Sequence, residues 1–196
     1  MVSRREKNKF DKYNRLISSA YELFLSQGVF KTTIDDIVKN ADVAKGTFYL
    51  YFQNKDEITK EVAFVKASEI IKAATAFAEK EINRDTPDRE TYKKAILSMS
   101  GYIISFFEKN SEILEILYKN LSSGLFERLE KSSDISSSIN GFIVASGKDK
   151  EQMEKRIYIA IEMIGSVCYN AIIMQNPFSM EEIKTELLNI ISDIID

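Results

Sequence analysis

The 196-residue chain has no histidine, no tryptophan, one cysteine and two prolines. Without histidine there is no Ser–His or Cys–His triad, no imidazole base and no histidine-containing metal site. A single cysteine, Cys168, excludes an internal disulfide framework and suits a reducing cytoplasm. There is no strand-like alternation between turn residues, and both prolines stand outside the strongly periodic runs. The first fifteen residues, MVSRREKNKFDKYNR, are charged and lead into no apolar run, so no signal peptide is expected. What remains is a helix-forming sequence, 44% hydrophobic, with ample material for a core.

Periodicity divides the chain into helices. Residues 10–26 align Tyr13, Leu16, Ile17, Ala20 and Phe24 on one stripe, with Gly28 as a stop. In TTIDDIVKNA, Ile34, Ile37, Val38 and Ala41 share a face, Thr33 is the N-cap, and Asp35 and Asp36 occupy the first turn. Asp42-Val43 leads to the short helix AKGTFYLYF. Asn54 caps a long helix from Lys55 to about residue 82, with Glu57 in a capping-box position. Further helices are expected over 90–109, 111–131, 150–175 and 179–194, with a serine-rich loop at 132–140. The fold class is therefore all-α: a small three-helix head over 1–54, with a basic arm at 1–9, and a larger helical body over 55–196.

Charge is uneven along this map. The chain as a whole carries −3, yet residues 1–55 hold 10 basic and 6 acidic side chains. Such asymmetry points to a nucleic-acid-facing end. Residues 33–52 supply the matching geometry, two short helices joined by a tight turn, as in a helix-turn-helix whose second helix enters the major groove. Phe48 and Phe52 share an inward face; Gly46, Thr47, Tyr49 and Leu50 turn elsewhere, with Lys45 in the open first turn. On a recognition face, Lys45 would meet phosphate or guanine, Thr47 a base edge or thymine methyl, and Tyr49 phosphate. Gly46 would let the helix backbone approach the duplex closely. Arg4, Arg5, Lys7 and Lys9 either reach phosphates or a minor groove, or form a solvated disordered tail.

The run from Gly28 to Glu57, G-x-x-x-T-T-I-x-x-I-V-x-x-A-D-V-A-K-G-T-F-Y-x-Y-F-x-N-K-D-E, resembles the N-terminal domain of the tetracycline-repressor (TetR) family. The resemblance implies an all-helical homodimeric repressor with a three-helix DNA-binding head and a divergent body that binds a small-molecule inducer. By position it puts Lys45, Thr47, Tyr49 and Tyr51 where the family's recognition-helix contacts lie. It puts Lys55 on a recurrent phosphate contact, and Thr33 on a helix-two position that touches the DNA backbone. Two residues depart from the pattern: Asp42 replaces a common turn glycine, and Ala44 a common Ser or Thr, which removes an N-cap hydroxyl.

In the body, the segment 157–174 is apolar nearly all round and reads as a buried helix rather than a membrane span, since Glu162 and Asn170 would sit in hydrocarbon. Its stripe of Ile157, Ile161, Ile164, Cys168 and Ile172, with Ile183, Leu187 and Ile191 of the last helix, is the expected homodimer interface, the alternative being a purely intramolecular core. Tyr102, Phe106, Tyr118 and Phe126, with the lone charge Glu162, are candidates to line a site for a small apolar or aromatic ligand; at helical spacing the same aromatics also suit an ordinary core. No cofactor, metal or membrane partner is expected. The expected protein is a cytoplasmic, non-enzymatic regulator that binds a palindromic double-stranded operator as a homodimer and is released by its ligand. The alternative is a helical ligand-binding protein or enzyme without DNA binding, whose chemistry would fall to carboxylates or tyrosine. No spaced carboxylate pair, glycine-rich phosphate loop or nucleophile motif supports it.

Overall fold

Apolar residues recurring every three to four positions set the architecture: every regular element among the described residues is helical. The computed structural model describes residues 3–78, 89–121 and 147–196, together with Lys80, Arg128, Lys131, Asn140, Ile143 and Val144. Two compact units are present, Met1–Lys66 and Ala67–Asp196, and their division falls inside one long helix.

The first unit begins with α1 (Arg4–Lys31). Ser3 and Glu6 close a capping box, the Glu6 N–H donating to Ser3 Oγ at 3.2 Å and the Ser3 N–H to Glu6 Oε2 at 2.8 Å. These bonds, the backbone one first, hold the Glu6 carboxyl below its ordinary value. The basic residues Arg4 to Lys9 are therefore the exposed opening turns of a helix, not the separate arm or disordered tail expected for 1–9. The cap satisfies the amides that would otherwise fray. Gly28 takes φ +81°, a left-handed conformation natural to glycine, so the chain kinks there before one last turn to Lys31. Leu16, Ile17, Ala20 and Phe24 are buried as one stripe, and Tyr13 at its edge is half-buried. Against them lie α2 (Ile34–Asn40), α3 (Lys45–Tyr49) and the start of α4 (Lys55–Ala78).

In the second unit, α5 (Arg89–Lys109) meets α6 (Ser111–Leu121), α7 (Lys150–Cys168) and α8 (Met180–Ile195). The wider turn of a π-helix, Tyr169–Met174, continues α7. Arg89 and Lys93 of α5 both pair with Asp196, and Arg156 of α7 donates to Ile194 O at 2.6 Å, which ties three helices at one end. Cys168 is a core residue whose burial pushes its thiol up to about 12, so it stays protonated and inert.

The expected interface stripe is corrected in part. Ile164, Cys168, Leu187 and Ile191 are buried within the single subunit, because α7 and α8 turn that face toward α5 and each other. Ile157, Ile161, Ile172 and Ile183 are half-buried. The apolar surface left open lies round the helix: Tyr158, Ile159, Met174, Phe178 and Ile190 are 40–57% exposed. Among the described residues, each candidate aromatic has a ring partner outside the candidate set. Tyr102 meets Phe77 at 5.3 Å, Phe106 meets Phe107 at 6.0 Å, and Tyr118 stacks on Tyr169 at 4.0 Å. Glu162 is exposed rather than aimed inward, because its position on α7 falls on the open side with Tyr158 and Ile159. Phe126, the segment expected as a loop over 132–140 except for Asn140, and the expected break near residue 87 lie outside the described residues.

Candidate nucleic-acid interface

The geometry of the head starts with two buried phenylalanines. Phe48, fully buried, and Phe52 sit 5.6 Å apart by ring centroid, and Phe52 stacks at 5.8 Å on Tyr13 of α1. Their spacing of four turns both rings inward and leaves the other side of α3 facing out. The turn before α3 is made by Asp42 at φ +49°, a left-handed conformation that glycine adopts without cost. Arg15 steadies it, donating to Asp42 O at 2.8 Å and Asp42 Oδ2 at 3.0 Å. Asp42 therefore serves the turn and α1, and does not cap α3. Ala44 is the N-cap and contributes no side-chain bond.

The outward face gathers Lys45, Gly46, Thr47, Tyr49 and Leu50. Tyr49 is 52% exposed and Leu50 78%, a large apolar exposure for so short a helix. A Cβ on Gly46 would meet nothing within 4 Å, so neither φ nor packing inside the protein demands glycine there. Lys45 pairs with Asp35 of α2 at 2.7 Å, and that hydrogen bond holds its ammonium above its ordinary range. Asp35 is a residue that pattern reading assigned only to the helix dipole. Nothing in the spacing of 35 and 45 announces the pair, because it depends on the angle between α2 and α3.

Three further expected contact residues, besides Lys45, have internal partners. Thr33 caps α2: its Oγ accepts from the Asp36 N–H at 3.1 Å and donates to Asp36 Oδ2 at 2.7 Å. The Asp36 carboxyl is held low chiefly by that hydroxyl. Tyr51 donates to the Lys9 carbonyl at 2.8 Å and lies half-buried beside Tyr13. Lys55, also half-buried, turns its ammonium onto three carbonyls at the end of α1. Asn54 does cap α4, accepting from the Glu57 N–H at 2.9 Å, while Glu57 reaches back to the Gln53 N–H at 2.6 Å.

Comparison with known proteins gives this geometry a context. The family profile described as bacterial regulatory proteins, tetR family, matches residues 16–62, which contain α2, α3 and the start of α4. The transcriptional regulator YvdT of Bacillus subtilis is 42% identical over 52 residues, 26% of this chain and 27% of that protein. The chain thus spans about a quarter of YvdT's length. The fatty acid metabolism regulator of Bacillus subtilis is 24% identical over 161 residues, 77% of each chain. Among solved structures, a TetR-family transcriptional regulator from Syntrophomonas wolfei matches with TM-score 0.62 at 18% identity, covering 96% of both chains. The family profile falls on the head, and the fold likeness covers nearly the whole chain.

Proposed function

We infer, from the premise that this chain belongs to the tetR family of bacterial regulatory proteins, that it is a DNA-binding transcriptional regulator whose α3 is the reading helix. The observation that carries the reading is the outer face of α3. An exposed tyrosine, glycine and lysine and a half-buried threonine stand on a five-residue helix that two buried phenylalanines hold in place. In this reading Lys45 and Tyr49 engage phosphates or a guanine edge, Thr47 a base edge or methyl, and Gly46 lets the helix backbone approach the duplex. Thr33 and Tyr51 work mainly by fixing α2 and the end of α3, although the exposed Thr33 remains within reach of a phosphate. The exposed cations Arg4, Arg5, Lys7 and Lys9 add attraction along the opening turns of α1.

Two copies acting together suit a palindromic operator, with half-sites about 34–36 Å apart. The open apolar surface at Tyr158, Ile159, Met174, Phe178 and Ile190 is what the second copy would cover. The body would bind a small apolar or aromatic ligand, of which the half-buried Tyr102, Phe106 and Tyr118 are candidate contacts. A ligand that prefers a conformer with the wrong half-site spacing would release the operator by that preference. On this reading the protein is a cytoplasmic repressor, not an enzyme. Electrophoretic retardation of DNA flanking its own coding region tests it. A shift that weakens steeply as salt rises supports the assignment, and no shift at low salt overturns it.

A further inference from the structure

At the first position of α4, the ammonium of Lys55 is turned onto backbone carbonyls. Its Nζ donates to Val29 O at 3.0 Å, Phe30 O at 3.2 Å and Thr32 O at 3.0 Å. An ammonium has three protons, so these three acceptors saturate it. The carbonyls belong to the last turn of α1 beyond the Gly28 kink, where acceptors lack intrahelical partners and the helix dipole is negative. Thr32, fully buried, is tied to the same turn, its hydroxyl donating to Gly28 O at 2.8 Å. Thr33, the N-cap of α2, follows at once. One side chain from the first position of α4 therefore fixes the junction from which α2, and through it α3, departs.

We propose that Lys55 is a positioning residue of the reading head, a clamp that sets the departure of α2 from α1, and that it is not a phosphate contact. A phosphate could draw the ammonium only by stripping it from carbonyls that have no other lysine to meet them among the described contacts. A positioning residue and a phosphate contact differ in what their loss does to DNA binding. Removing a phosphate contact weakens all duplexes alike and lowers the salt slope by about 0.9 per contact. Removing a clamp blurs the placement of α3, so selectivity falls while the salt slope stays.

This inference rests on the DNA-binding reading, and its experiment separates the two. Lys55→Met keeps the aliphatic stem and removes the ammonium. Wild-type protein and the variant are titrated with operator-flanking DNA and with random duplex across a salt series, well below the melting temperature of either. Expected is a loss of operator preference on the order of tenfold, the scale of one charge-assisted hydrogen bond, with random-duplex affinity and salt slope unchanged. Equal weakening on both duplexes with a shallower slope overturns the proposal in favour of a phosphate contact. Unchanged selectivity overturns it in favour of a merely structural lysine. Amide hydrogen exchange provides a readout that needs no DNA. The variant should lose protection at Thr32 and Asp36, whose N–H groups donate to Gly28 O and Thr33 Oγ, while the later turns of α4 keep theirs. Retained protection at both amides refutes the clamp even if wild-type protein binds no DNA, an outcome that would refute the regulator reading separately.

Discussion

Gly46 sits in a helix with free space beside it, which is unfavourable for the fold: glycine costs roughly 1 kcal/mol relative to alanine in a helix interior. If the duplex is what requires glycine there, Gly46→Ala should melt higher and bind operator more weakly. Thermal unfolding and retardation on the same preparation check this, and tighter binding would contradict it. Asp35 poses the converse case. Its carboxylate neutralises Lys45 beside the reading face, so Asp35→Asn should raise affinity and steepen the salt dependence by freeing one cation. A titration in which Asp35→Asn binds no better than wild type would show that the pair survives on DNA.

Among the elements, α3 is the least self-sufficient. It has five residues and an alanine N-cap with no side-chain bond, and it stands mainly because Phe48 is fully buried. Ala44→Ser should restore the missing cap and stabilise the head by about 1 kcal/mol, seen as a higher denaturant midpoint with an unchanged slope. Much of this level was legible in advance. The stripes of α1 and α2, the Thr33 and Asn54 caps and the inward pair Phe48 and Phe52 follow from periods and cap residues that act locally. What was not legible depends on angles between helices: the Asp35–Lys45 pair, the Tyr51 bond to Lys9 O, and the Lys55 clamp. The helical state of Arg4 to Lys9 turned on a capping box at Ser3 and Glu6, which the charge-rich composition concealed. In the body, α7 is apolar nearly all round, so periodicity alone could not tell its inner face from its outer one; Ile164 and Cys168, like Leu187 and Ile191 of α8, lie inside the subunit.

At the scale of the whole molecule, a chain with five large apolar side chains 40–57% exposed between Tyr158 and Ile190 calls for a cover. Ile159, half exposed and flanked by Tyr158, is the position where a charge would be tolerated by the subunit and not by a partner. Sedimentation should find wild type dimeric and Ile159→Asp monomeric with its helical content intact. A dimer of unchanged stability would move the interface elsewhere. The net charge of −3 misrepresents this assembly, since it averages a basic head with an acidic remainder, and only the head is asked to meet phosphate.

If two copies of α3 read a symmetric operator, footprinting of the DNA flanking the coding region will reveal it. Wild type should protect two half-sites one helical turn apart, about 34–36 Å between centres, and Tyr49→Ala, folded and dimeric, should leave them open. Protection that is absent at low salt, or that survives unchanged in Tyr49→Ala, would contradict the account.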